Sequence, residues 1–312
     1  IVSFDDRGVV GYSHGRGYRD GTVVFGRTGN RSVLQIYEDE DLLREFIDRP
    51  LSEPERERTD EIMAGRRGGS EIRHRYSALS EKSIETSEET VAGMFTNLVW
   101  DASLEAEDAA YPDVFAWIED TIDWFADQSD CRLVIKVHPA ESKRGTNERV
   151  GVWIENRYDS LPDNVTLLSP DTDVNTYQMI EDIDVGLVYS STVGIEMAYH
   201  RGPVVVAGDT HYRDLGLTYD ASSTEEYVEF LNRLGELEAT TEMQDRGRRY
   251  AYHYFVRKHV EFPYYRTDDE TFEIELLPVE HDDIVPGNEP FDSICEWSLA
   301  GNPILNPDAY SG

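Results

Sequence analysis

The sequence predicts an α/β protein built on a doubly wound parallel sheet. Short, almost wholly apolar runs at 133–137, 165–168, 185–189 and 203–206 have the composition of strands buried on both faces. Segments with apolar residues at helical spacing alternate with them from about residue 90 to 236. The chain is also long enough, at 312 residues with 39% hydrophobic and 11% aromatic content, to bury a substantial core.

Taken in order, residues 1–37 combine glycine with β-branched runs (9–10, 22–25, 33–37) and read as short strands joined by turns. Residues 39–48 predict an amphipathic helix, which Pro50 and Pro54 end. The charged stretch 53–90 predicts helical turns at best until Ser87, in a helical linker or a mobile loop. A strand at 91–100 then opens the α/β part, followed by a helix over 114–125 carrying Val114, Phe115, Ile118, Ile122 and Phe125. Further helices are expected around Tyr177, from 195 to 199 and from 225 to 234. One long aromatic-rich helix is expected over 241–262, an edge strand over 273–277, and a loose acidic tail over 280–312. This divides the chain into a partial N-terminal region and linker (1–90), a Rossmann-like nucleotide-binding domain (91–262) and an acidic C-terminal tail (263–312). The first residue is Ile1, already in strand-like sequence, so a fragment or processed product is expected.

Charge is the dominant global property. The chain has 63 acidic and 29 basic residues, a net charge of −34, and only four lysines: Lys82, Lys136, Lys143 and Lys258. The acids are scattered, as expected of a halophilic, archaeal protein in molar salt, where a Debye length of about 3 Å screens self-repulsion. Such a polyanion excludes nucleic acid as a partner. Cys131 and Cys295 are too few for a zinc site or a disulfide framework, which fits a reducing cytoplasm. No apolar run is long enough to span a membrane. Asp171-Thr172-Asp173 reads as turn and capping residues, so no metal is expected.

The chemistry-bearing residues all follow strands. The 133–137 strand leads into His138-Pro139-Ala140-Glu141, and the 185–189 strand into Ser190-Ser191-Thr192-Val193-Gly194 and then Glu196. Asn97 and Asp101 lie at the end of the strand that opens the domain. In a parallel sheet these ends face one crevice, where ligands of such sheets bind. Hydroxyls and free backbone N–H groups at a helix start suit an anion, and Gly194 leaves the backbone open to close approach. His138 donates to a phosphate oxygen in this reading, Pro139 aims the turn, and Glu196 accepts from ribose hydroxyls. Each has a plainer alternative: Ser190, Ser191 and Thr192 as a helix cap, His138 as a structural strand end, Glu196 as a solvated helix residue.

The runs Leu133-Val-Ile-Lys-Val-His-Pro-Ala-Glu141, Asn164-Val-Thr-Leu-Leu-Ser-Pro170, Asp184-Val-Gly-Leu-Val-Tyr-Ser-Ser-Thr-Val-Gly-Ile-Glu-Met-Ala198 and Gly202-Pro-Val-Val-Val206 together resemble the capsule polysaccharide biosynthesis family. Met94-Phe-Thr-Asn-Leu-Val-Trp-Asp101 is similar to the opening of that family's nucleotide domain. The wider set resembled is the GT-B glycosyltransferases with HP and SS/T motifs: Kdo transferases, bacterial sialyltransferases and CDP-glycerol phosphotransferases. The resemblance covers roughly residues 91–262. It implies a GT-B-like fold with an incomplete N-terminal α/β portion, and donor binding by His138, Pro139, Ser190, Ser191 and Thr192, which Asn97, Gly194 and Glu196 join by their positions after the strands. It further implies a nucleotide-sugar donor of CMP or CDP type as substrate, with no separate cofactor. The acceptor would be a glycan or lipid-linked molecule, reached in the cytoplasm or at the inner membrane face by peripheral contact with the membrane or assembly machinery. Asp101 and His14 are the candidate catalytic bases. A nucleotide-sugar 2-epimerase of the same fold and a non-catalytic, transferase-like binding subunit remain as alternatives.

Overall fold

In the computed structural model the described residues are 2–3, 9–12, 22–27, 40–68, 89–99, 110–143, 149–200, 202–267, 274–300 and 305. In chain order the first elements are strands β1 (Val2–Ser3), β2 (Val9–Tyr12) and β3 (Thr22–Arg27) and helices α1 (Glu40–Asp48) and α2 (Glu53–Gly68). Next come β4 (Thr90–Phe95), α3 (Val114–Ala126), β5 (Cys131–Lys136), α4 (Ala140–Lys143), α5 (Val150–Arg157), β6 (Val165–Leu168) and α6 (Thr176–Asp182). They are followed by β7 (Val185–Val188), α7 (Val193–Tyr199), β8 (Val204–Val206), β9 (Tyr219–Asp220), α8 (Thr224–Leu231) and α9 (Thr241–Tyr252). Strands β10 (Val260–Glu261), β11 (Tyr265–Thr267) and β12 (Ile274–Leu276) and helix α10 (Phe291–Ala300) close the series. The chain divides into one unit of residues 1–66 and 249–312 and a second of residues 67–248.

The second unit is the predicted doubly wound sheet. Its six strands run in the order β6-β5-β4-β7-β8-β9, and every neighbouring pair is parallel. Apolar strand residues serve both faces. Ala92 and Met94 of β4 join Leu133 and Ile135 of β5 in a core with Trp117, Ile118, Ile122 and Phe125 of α3 and Val150 and Ile154 of α5. On the opposite face Gly93 lets α6 come close, since a Cβ there would lie 2.5 Å from Ile183 Cδ1 and 2.9 Å from Met179 Cε. Helix α3 starts where Asp113 accepts from the N–H groups of Phe115 and Ala116, both at 2.9 Å, the N-cap geometry that carboxylates favour. Asn164 is held inside this unit: its Nδ2 donates to the carbonyls of Phe125, Gln128 and Cys131.

The first unit contains an antiparallel sheet in the order β1-β2-β3-β10, with Val260 opposite Val23. Phe46 and Ile47 of α1 are buried there, at 4% and 0% exposure. The Phe46 ring lies 3.9 Å from the Arg257 guanidinium, a cation–π contact.

Three expectations need correction. The 53–90 stretch holds more than helical turns, because α2 fills Glu53–Gly68. Pro54 sits in its first turn, where a missing N–H costs nothing, and Glu55 reaches back to the Ser52 N–H at 2.7 Å, half of a capping box. The 241–262 helix ends at Tyr252, passes through a π-type turn at His253–Arg257 and gives way to β10. The 280–312 tail contains a ten-residue helix, α10. Residues 33–37, the third predicted N-terminal run, lie outside the described residues.

Candidate active site

Strand order places a topological switch between β4 and β7, with β5 and β6 on one side and β8 and β9 on the other. Ligands of open α/β sheets bind at such a point, beyond the carboxyl ends of the strands. Register aligns Phe95 with both Lys136 and Val188, and Val188 with Val206. Two residues further along these four strands come Asn97, His138, Ser190 and Gly208. The predicted donor residues therefore share one end of one sheet.

Hydrogen bonds join them through β4. Thr96 Oγ1 accepts from the His138 N–H at 3.1 Å. The next residue, Asn97, is buried at 6% exposure, and its Oδ1 accepts from the Ser190 N–H at 3.3 Å. His138 itself is half-buried, and its carbonyl accepts from the Glu141 N–H at 3.0 Å, so Pro139 lies within a closed turn. Glu141 is buried at 1% exposure and receives the Val150 N–H at 3.0 Å. Burial raises its carboxyl above the usual range, against the pull of the backbone N–H groups.

The Ser190–Gly194 turn is only in part a helix cap. Ser191 Oγ accepts from the Val193 N–H at 3.3 Å. Thr192 occupies the N-cap position of α7 without a side-chain cap bond. Ser190, Ser191 and Thr192 are each half-buried. Glu196 is 3% exposed, so the solvated-helix reading of this residue does not apply. Asp171-Thr172-Asp173 forms a turn, as expected, with the Thr172 N–H bonded to the Ser169 carbonyl. The capping role falls instead to Asn175, which receives the Tyr177 N–H at 2.8 Å. His14 and Asp101 lie outside the described residues.

Sequence reasoning missed several supporting residues. Thr96 lies inside the motif that pointed to Asn97, but its role needs the β4–β5 register. The segment after β8 reaches the same sheet end: the Gly208 N–H donates to the Tyr189 carbonyl at 2.9 Å, and Tyr212 touches the Ser191 turn. A polar stretch (Asp209, Thr210, His211) directly following a parallel strand was the available signal.

Lys136 was also missed. It is 4% exposed, and its ammonium donates to the Val174 carbonyl at 2.7 Å. Burial lowers its pKa from 10.5 to about 8. Below that value the fold carries the cost of a buried cation. Between about 8 and 10.5 the unfolded chain binds more protons than the folded one, so this cost is relieved as pH rises. Lys136→Met is expected to stabilise the fold at pH 7 by roughly 1–3 kcal/mol. The gain should shrink steadily between pH 8 and 10.5. Urea unfolding of both proteins at pH 7 and pH 10 measures it, and a gap of equal size at both values would refute the assignment.

A parallel six-stranded sheet with this order, with these polar residues beyond its switch point, is a doubly wound α/β domain. Residues 94–244 match the family model described as capsule polysaccharide biosynthesis protein. No curated protein matches the chain. Among solved structures it is similar to the beta Kdo 2,4 transferase of Thermosulfurimonas dismutans KpsC (14% identity, TM-score 0.47, covering 82% of this chain and 70% of that one). It is similar as well to the beta Kdo 2,7 transferase of the same KpsC (14% identity, TM-score 0.44, 73% of this chain and 62% of that one). A third similar structure is the UDP-GlcNAc 2-epimerase of Neisseria meningitidis bound to UDP-GlcNAc (14% identity, TM-score 0.35, 62% of this chain and 45% of that one).

Proposed function

We propose that the chain transfers a sugar from a nucleotide-linked donor, of CMP or CDP type, to a cell-surface polysaccharide or glycan. One observation carries the reading: adjacent residues of a single strand end, Thr96 and Asn97, hold the His138 turn and the Ser190 turn on either side of the switch point. That arrangement supports a reading in which His138, Ser190, Ser191, Thr192 and Gly194 serve one ligand. In this reading His138 and the Ser190–Thr192 turn hold the donor phosphate, and Glu196 meets the ribose. Rate enhancement comes from positioning and from neutralising charge on the departing nucleotide. The acceptor is lipid-linked or glycan, presented at the inner face of the membrane, and the protein works in molar salt. Among the described residues no helix is long and apolar enough to cross a membrane.

The test is calorimetric titration with CMP, CDP and UDP at about 2 M salt, followed by transfer assays with the corresponding labelled donors. The reading expects cytidine nucleotides to bind, and labelled sugar to move to a glycan acceptor. Release of an epimerised sugar without any acceptor would establish the 2-epimerase instead. Absence of binding to all three nucleotides would leave the non-catalytic subunit.

A further inference from the structure

We infer that Tyr212 is a positioning residue for the donor turn, setting the shape of Ser190–Gly194 from behind. The inference rests on the proposed role of that turn and adds to it a residue from a different strand. Tyr212 lies after β8, twenty-one positions from Ser191, and its ring is wholly buried at 0% exposure. Its hydroxyl donates to the Ser191 carbonyl at 2.6 Å. The same carbonyl also accepts from the Gly194 N–H at 3.1 Å, so two donors converge on the oxygen that closes the turn.

The tyrosine also explains the glycine. A Cβ on Gly194 would stand 2.3 Å from the Tyr212 hydroxyl and 2.9 Å from its Cζ. Any other residue at 194 collides with the group that fixes the turn. Openness of the backbone at this point is thus enforced by a neighbour's ring rather than by an unusual φ, since Gly194 is not among the residues with positive φ.

The segment carrying Tyr212 is itself firmly held. Arg213 donates to the Gly208 carbonyl at 3.1 Å and to the Ala221 carbonyl at 2.7 Å. Gly208 packs on Tyr189, where an added Cβ would lie 2.4 Å from the carbonyl oxygen. These contacts hold the backbone on both sides of Tyr212.

Tyr212→Phe removes one oxygen and leaves the ring. The expected result is a rise in donor KM, and in nucleotide Kd by calorimetry, of about tenfold. The value of kcat should stay within about twofold, and thermal unfolding should shift by only a few degrees. A general loss of structure would lower kcat and melting temperature along with weaker binding, which is the pattern that overturns the inference. So would an unchanged KM. Ser191→Ala and His138→Ala are measured alongside. If they too leave donor binding intact, the donor-site reading fails; if they weaken it while Tyr212→Phe does not, only the inference fails. A double-mutant cycle tests the contact itself: Gly194→Ala should weaken nucleotide binding less in the Tyr212→Phe background than in the wild type. Equal effects in both backgrounds would contradict the geometry.

Discussion

Replacing His138 with alanine is expected to lower kcat/KM for donor about 100- to 1,000-fold, the usual loss when one charge-stabilising donor is removed from a transfer site. The expectation follows from what the substitution spares. The His138 backbone N–H, which holds the turn to Thr96, remains in alanine. So does the carbonyl that receives the Glu141 N–H. The side chain is half-buried, so its removal should cost less than about 1 kcal/mol of stability. Activity and stability should therefore separate cleanly. Steady-state transfer assays and urea unfolding, both at about 2 M salt, provide the comparison. Undiminished transfer by the alanine variant would end the role assigned to this imidazole. His138→Asn, which keeps a donor group on a shorter side chain, should recover part of the loss.

Trp117→Ala should produce the largest loss of stability, about 3–5 kcal/mol. Trp117 is wholly buried in the middle of α3 and belongs to the core cluster formed with β4, β5 and β7. Its ring lies 5.8 Å from that of Tyr189, the residue just before Ser190. Tyr189 is tied in turn to the Tyr111 carbonyl through its hydroxyl at 2.9 Å. A cavity at Trp117 thus opens beneath the strand that ends in the donor turn, and donor affinity should fall together with stability. Trp117→Phe, filling most of the volume, should cost less than half as much. Equilibrium urea unfolding at fixed salt measures both, and a loss below about 1 kcal/mol for the alanine variant would contradict the packing described.

The sheet was legible because its signals are local. The runs at 133–137, 165–168 and 185–189 are short and mostly apolar, the observed strands end within a residue or two of them, and only the 165–168 run, the edge strand β6, leaves a residue (Thr166) exposed. Helix α3 was equally plain, since Val114, Ile118, Ile122 and Phe125 recur at helical spacing and are all buried. Asn97, His138 and Ser190 could be grouped because parallel topology alone puts strand ends together. Reading failed where the deciding contact is distant or the composition misleads. Pro54 looked like a breaker because its place in a first turn depends on the Ser52–Glu55 cap. The aromatic run after Tyr252 kept a helical look, but Val260 pairs with Val23, far away in sequence. Tyr212 could not be found from periodicity, because its role exists only where two loops meet.

The two side-chain bonds from β4 have a consequence for how such a protein can change. Thr96 and Asn97 are consecutive, and each supports a different motif. A substitution at this strand end disturbs both flanks together, so neither motif can drift on its own terms. The segment between Gly208 and Tyr212 meets the site from one side only. Variation at Asp209, Thr210 and His211, between those two supports, leaves the Thr96 and Asn97 bonds intact. Laboratory selection for a new donor should accordingly collect its adaptive changes after β8 and leave residues 96 and 97 untouched.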